Sequence, residues 1–432
     1  MSDKQSAGLL TMRVDALAHG GEFVGQILEG SPGLRGKKVF VRGVAPGEIV
    51  EVSLFSEEKN LVRARCESVV KPSSERISPR CPKFGVCGGC DLQHLTLDAQ
   101  REAKRSMVES MLEKHASLKP RRGVGLAGSG LAGFNYRRRV TLHLNLAGEL
   151  GFFKHETNEV VAIDYCYLAE AVLNRAIREL KPVLAPYALY IGSVSLEEHS
   201  GRVFVGLRIR ETPGGESVIF PRQMLSVLAK QIPSLTLYKR AKPILAQVDF
   251  RQNSANGANP PVGHFTQVNK EANELLRQLV LERVDSPRVT DLYAGAGNFS
   301  LPLAAAGKQV EAVEVDPALV AYGRFLARSM GQDELLRFYQ MSCRRFLKHN
   351  RPAETVILDP PRSGAREVIE LLNSKDCKRI IYISCNLPSL VRELKDLAGR
   401  GFELDEVLLV DMFPQTYHVE TVAVLHSPCV FY

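Results

Sequence analysis

Hydrophobic positions change texture three times along the chain. Up to residue 71 they fall in short runs, Leu10 to Val14, Lys38 to Val41, Ile49 to Leu54 and Leu61 to Arg65, punctuated by Gly20-Gly21, Gly30 and Pro46-Gly47. Short strands with glycine turns and no helical period predict a small OB-like β-barrel, an architecture that often binds nucleic acid. Lys71-Pro72-Ser73-Ser74 reads as the linker that ends it. Residues 98–117 instead place Ala103, Met107 and Met111 four apart, as on one amphipathic helix closed by Lys119-Pro120-Arg121-Arg122. Strand-like runs such as Val140 to Leu144 and Val203 to Leu207 return between about 134 and 260, predicting a mainly antiparallel α+β domain. From Asn269 onward, helical stretches alternate with short apolar strands at Val289–Tyr293, Val310–Val315, Thr355–Leu358, Ile380–Ile383 and Val407–Val410. That alternation is the mark of a Rossmann-like, doubly wound sheet covered on both faces. The fold class is therefore multidomain α/β.

Composition adds a partner. With 45% hydrophobic and 24% charged residues in 432, the chain is neither disordered nor fibrous. No run reaches the roughly 18 apolar residues of a membrane span, and the first residues lack a signal-peptide layout, so a cytoplasmic protein with no membrane partner is expected. The net charge is +8, and residues 101–150 alone hold ten basic and four acidic side chains. Such a local excess favours a polyanion, RNA or DNA, over a merely solvated basic surface, and Tyr136-Arg137-Arg138-Arg139 is its expected contact. Nine cysteines in a reducing compartment argue against disulfides.

The chemistry concentrates in the last third. Asp291-Leu292-Tyr293-Ala294-Gly295-Ala296-Gly297-Asn298-Phe299 follows a strand and opens a helix, where glycines let a ligand approach the backbone. Ser300 stands where a dinucleotide motif needs its third glycine, and Glu314 ends the next strand, suited to a ribose of NAD or S-adenosylmethionine alike. Asp359-Pro360-Pro361-Arg362 after a later strand forms a rigid rim. Cys385 lies at the carboxyl end of Ile380–Ser384 just before a helix, whose positive end is expected to favour thiolate. Glu420 enters a strand, a poor place for a carboxylate without a task. A nucleophile and a proton acceptor on one sheet edge are the reading of that pair.

In this order, Asp291–Phe299, Asp359–Gly364, Ser384-Cys385-Asn386 and Phe413–Glu420 resemble the S-adenosylmethionine-dependent RNA uracil-C5 methyltransferases, over nearly the whole chain. Residues 10–70 resemble the TRAM domain, and Phe265-Thr266-Gln267-Val268-Asn269 matches a family segment whose glutamine meets the cofactor. The resemblance implies that Gln267, Tyr293, Asn298, Glu314 and Asp359 touch S-adenosylmethionine, that Cys385 is the nucleophile and that Glu420 is the base, with His418 the next candidate. Leu387-Pro388-Ser389 departs from the family's proline directly after Ser-Cys-Asn, and Ser342 stands where asparagine is common.

Cys81-x5-Cys87-x2-Cys90 brings three thiols onto one loop, a metal pattern that spacing leaves open between zinc and iron-sulfur. The resemblance implies a [4Fe-4S] cluster with Cys166 as fourth ligand, ahead of Cys66. It also implies 5-methyluridine formation in large-subunit (23S) ribosomal RNA by a monomeric enzyme. The expected units are residues 1–74, the barrel; 75–265, the cluster-bearing domain, with the 95–120 helix packing on the catalytic part; and 266–432, the methyltransferase sheet. The alternatives are a tRNA uracil-C5 methyltransferase, an RNA methyltransferase acting on nitrogen with Cys385 as core, and a non-catalytic RNA-binding or ribosome-assembly protein.

Overall fold

Alternation in the first segment folds into a closed barrel of β1 (Leu10–Leu17), β2 (Phe23–Glu29), β3 (Lys38–Val41), β4 (Ile49–Glu57) and β5 (Leu61–Lys71), in the order β1-β2-β3-β5-β4. Every pair is antiparallel except β3 with β5. Met12 and Val14, Val39 and Val41, and Val50 and Val52 point inward at the two-residue period of a strand. The computed structural model describes residues 9–29, 34, 36–58, 61–212, 215–232, 234–239, 242–246 and 267–428.

The predicted single helix is α1 (Leu97–Met111), continued by a π-helical turn over Leu112–Ala116 that ends at left-handed Ser117. Thr96 caps α1 by accepting from Ala99 N at 3.3 Å. Its apolar face, with Ala103 and Met107 buried, lies on the catalytic sheet, and so do two cations, Arg101 and Lys104. The next strand, β6 (Val124–Ala127), which the hydrophobic pattern does not reveal, pairs in parallel with a distal strand of that same sheet.

The middle of the chain forms a seven-stranded sheet, β13-β12-β11-β10-β7-β8-β9, antiparallel apart from β11 with β12. It is built from β7 (Arg139–Leu144), β8 (Leu150–Phe153), β9 (Val160–Ala162), β10 (Ile191–His199), β11 (Arg202–Ile209), β12 (Leu235–Lys239) and β13 (Lys242–Ala246), with α2 (Ala171–Leu184) and α3 (Arg222–Gln231).

Beyond α4 (Lys270–Glu282) comes the doubly wound unit: β14 (Arg288–Leu292), α5 (Ser300–Ala305), β15 (Gln309–Glu314), α6 (Pro317–Ser329), β16 (Leu336–Gln340), α7 (Cys343–His349), β17 (Thr355–Leu358), α8 (Arg366–Ile369), β18 (Arg379–Ser384), α9 (Leu387–Gly399), β19 (Glu403–Val410) and β20 (Glu420–His426). The order is β16-β15-β14-β17-β18-β20-β19-β6, parallel except for β20. One buried cluster runs from the barrel through Met107 of α1 and Leu112 of the π-helical turn to Tyr382, Leu390 and Leu409 of the catalytic unit. Barrel and catalytic sheet therefore share a core. Among the described residues no helix is long and apolar enough to cross a membrane.

Candidate active site

Strand register gathers the chemistry at one edge. Leu292 pairs with Val313 on one side and Leu358 on the other, so the loop after β14, Glu314 and Asp359 all lie at the carboxyl ends of neighbouring strands. Strand order reverses here, which opens a crevice. On the far side Ser384 stands opposite Thr421, whose Oγ1 donates to Ser384 O at 3.0 Å. One step beyond this antiparallel register come Cys385 and Glu420, and the Glu420 charge acts on the Cys385 thiol.

Glu420 is 3% exposed, and burial, with the neighbouring Asp359 adding to it, lifts its carboxyl well above the usual range. Burial and then the Glu420 charge push the Cys385 thiol up to about 11. This corrects the expectation of a thiolate favoured by the helix end: α9 starts two residues later, and desolvation outweighs it. The opposing influence is the positive charge of Arg362, which lowers both Cys385 and Glu420. Arg362 is exposed, and its carbonyl accepts from Asn386 Nδ2 at 2.6 Å, tying the proline rim to the loop that carries Cys385. Sequence reasoning treated Arg362 as rim alone; a guanidinium immediately after two prolines was the available signal. Burial, then the charge of Asp291, pushes Asp359 up to about 7.

On the cofactor side, Tyr293, Gly295 and Gly297 have φ of 67°, 57° and 96°. A Cβ at Gly295 would enter open space, whereas one at Gly297 would press on Leu301 at 3.1 Å and Phe338 at 3.2 Å. The Glu314 carboxylate accepts from the backbone N–H of Gly295, Val315 and Asp316 at 3.0, 2.7 and 2.8 Å, bracing the glycine loop. Tyr293 is half-buried against the core. The Asn298 amide is engaged by α4, exchanging hydrogen bonds with Asn273 at 3.0 Å and accepting from Arg277 Nε at 2.9 Å. Gln267 is half-buried just before Asn269, which caps α4; Phe265 and Thr266 lie outside the described residues. Ser342 caps α7, accepting from Arg345 N at 3.3 Å.

Cys81, Cys87, Cys90 and Cys166 all line one cavity of about 400 Å³. Gln93 donates to Cys90 Sγ at 3.2 Å and accepts from Cys81 N at 3.0 Å, while Asn174 brackets the Cys166 backbone. Cys66 lies apart on β5, against Ser68 O. Among the described residues no three His, Cys, Asp or Glu side chains are grouped to hold a single metal ion.

The basic run at 137–139 turns inward. Arg137 faces the cysteine cavity, Arg138 donates to Glu198 at 2.7 Å, and Arg139 pairs with Glu197 at 2.8 Å. Acidic residues on the adjacent β10 neutralise Arg138 and Arg139, so the run does not form the exposed phosphate-binding patch expected of it.

Loop 411–418, which leads into Glu420, is held from several distant segments. Asp91 N and Leu92 N donate to Gln415 O at 2.9 and 3.0 Å, and Tyr136 OH donates to Pro414 O at 3.0 Å. Gln100 and Gln415 exchange bonds of 2.9 and 3.0 Å. Lys104 Nζ reaches Asp411 at 2.7 Å and Phe413 O at 3.1 Å, and Arg101 adds a second cation on Asp411.

A doubly wound sheet with an antiparallel β20 and a glycine loop at its switch point defines the class as a methyltransferase fold. The tRNA (Uracil-5-)-methyltransferase family profile matches residues 259–427. Curated relatives include the 23S rRNA (uracil(1939)-C(5))-methyltransferase RlmD of Shewanella sp. strain MR-7, 30% identical over 98% of this chain and 96% of that one. The protein of the same name from Shewanella amazonensis is 34% identical over 90% of each. Among solved structures, the tRNA (uracil-54, C5)-methyltransferase of Pyrococcus abyssi, in complex with S-adenosyl-L-homocysteine, superposes with a TM-score of 0.71 over 96% of this chain and 99% of that one at 23% identity, a likeness of fold. The chain belongs to the S-adenosylmethionine-dependent RNA (uracil-5-)-methyltransferase family.

Proposed function

We propose that this enzyme forms 5-methyluridine in 23S ribosomal RNA by covalent catalysis, with Cys385 as nucleophile and Glu420 as base. The observation that carries the reading is the meeting of Cys385 and Glu420 beside Arg362 at the edge that also holds the glycine loop. Uracil C5 is too weak a nucleophile to take a methyl unaided; thiolate addition at C6 makes C5 enolate-like. Cys385 must first give up its proton to solvent, and the charge of Arg362 favours the thiolate that results. S-adenosylmethionine supplies the methyl, and Gln267, Tyr293, Asn298, Glu314 and Asp359 line its proposed site, Asn298 after releasing α4. Glu420 then takes the C5 proton and Cys385 leaves. Once ionised, Glu420 holds a proton more tightly than His418, which burial lowers to about 4, and so suits that task better. The target must leave its stack to reach the crevice.

The four cysteines around one cavity support a [4Fe-4S] cluster over a single zinc, because each cubane iron takes its own thiolate and the sulfurs need not converge on one ion. Cys81, Cys87, Cys90 and Cys166 would hold it. No redox step is needed; the cluster would fix the loop that carries Asp91 and Leu92 against Gln415. We take the enzyme as a cytoplasmic monomer of barrel, cluster-bearing domain and catalytic sheet, divided near residues 74 and 265.

Labelled S-adenosylmethionine, 23S rRNA fragments and a denaturing gel test the chemistry. Cys385→Ala should give neither product nor adduct. Glu420→Gln should stall as a covalent protein-RNA complex already carrying the methyl. Turnover by Cys385→Ala would eliminate the covalent mechanism, and methylation of tRNA in place of rRNA would reassign the substrate.

A further inference from the structure

We propose that His19, Tyr417 and His418 form an aromatic wall on which unpaired RNA bases stack at the mouth of the active site, so that the N-terminal barrel builds part of the target pocket. The inference rests on the reading of the chain as an RNA uridine methyltransferase. The rings form a series: His19 meets Tyr417 edge to face with centroids 5.5 Å apart, Tyr417 lies 4.2 Å from His418, and His418 lies 5.9 Å from Phe413. The series leads toward the proposed reacting groups, because His418 is two residues before Glu420, and the charge of Arg362 acts on Tyr417, His418 and Cys385 alike.

The barrel reaches this place through the turn between β1 and β2, where Ala18 N donates to Glu22 O at 2.8 Å. Gly21 in that turn is pressed so closely on the catalytic loop that a Cβ would come within 2.7 Å of Asp91 Oδ1 and 3.0 Å of the Tyr417 ring. That contact fixes where His19 stands. His19 is exposed, and an edge-to-face contact leaves at least one face of its ring uncovered. Arg362 is also exposed, and its charge acts on the other two rings. Aromatic faces and a planar guanidinium are the surfaces on which single-stranded bases stack. Partial desolvation by its neighbours lowers the exposed His19 below the usual imidazole range, and burial takes His418 to about 4, so near neutral pH these are uncharged rings, matched to bases and not to phosphates.

The test uses the full-length enzyme and an RNA carrying 2-aminopurine beside the target uridine. His19→Ala should raise KM for RNA about tenfold or more, with a smaller effect on kcat. It should weaken the fluorescence quench on binding and leave S-adenosylmethionine affinity intact. His19→Phe should restore both KM and quench. Tyr417→Ala should behave like His19→Ala, with thermal melting as the check on its fold. Unchanged KM and quench in His19→Ala, or a loss confined to kcat, would overturn the wall and leave the rings as packing. A wild-type enzyme that forms neither product nor adduct in the same assay would instead overturn the methyltransferase reading itself.

Discussion

At the scale of single residues, the site is a group of acids kept out of water. Asp291 is fully buried; Ser300 Oγ donates to one of its oxygens, and the other has no partner. Burial pushes it up to about 7. In the unfolded chain an aspartate ionises near pH 3.9. The folded state thus holds the proton more tightly, and this group's contribution to stability is full below about pH 4 and lost as pH rises to about 7. Asp291→Asn removes that loss. Between pH 5 and pH 8 the variant should gain on the wild type by on the order of 2 kcal/mol in urea unfolding. Parallel stability curves for the two proteins would show that Asp291 ionises normally. The same desolvation raises Cys385 and Glu420, so Cys385 is held as a thiol even with the charge of Arg362 acting on it.

At the scale of elements, α1 is a brace for the catalytic loop. It carries Arg101 and Lys104, 2% and 0% exposed, to Asp411, also 0% exposed, so two buried cations share one carboxylate. The guanidinium spends its remaining donors on the Ser129 and Leu131 carbonyls. Asp411→Asn leaves Lys104 without its paired carboxylate and Arg101 with only the exposed Asp98 at 3.5 Å, and should cost about 3–5 kcal/mol in chemical denaturation. Lys104→Met keeps the Arg101–Asp411 pair and leaves one charge of each sign, so it should cost clearly less. Equal losses, or the reverse order, would mean that Asp411 does not anchor the pair. The amphipathic spacing of Ala103 and Met107 was legible as a helix. The burial of Arg101 and Lys104 was not, because their partner lies about 300 residues away and no local pattern encodes it.

At the scale of the molecule, the cysteine-bearing segment, α1 and the barrel turn all close on the loop before Glu420. A chain whose first third braces its last thirty residues predicts that loss of the proposed cluster is felt at the catalytic centre. Enzyme purified without oxygen should be brown and carry about four irons. Cys87→Ala should lose the iron and lower kcat by an order of magnitude or more, while S-adenosylmethionine affinity, set by the β14 and β15 loops, changes little. A colourless protein with one tightly held zinc, or full activity without metal, would refute this role.

The sequence by itself determined the barrel, the doubly wound sheet and every segment bearing Cys385, Glu420, Glu314 and Asp359, since strand period, glycine turns and short motifs are local and survive in one dimension. It also marked the four cysteines. Tertiary structure decided the rest. It put β6 at the edge of the catalytic sheet, turned Arg138 and Arg139 into ion pairs with β10 and Arg137 onto the cysteine cavity, set Asn298 against α4, and brought His19 from the barrel to Tyr417. Each of these depends on contacts between segments far apart in the chain, and on the balance of desolvation against pairing inside the fold. Neither can be read from residue spacing.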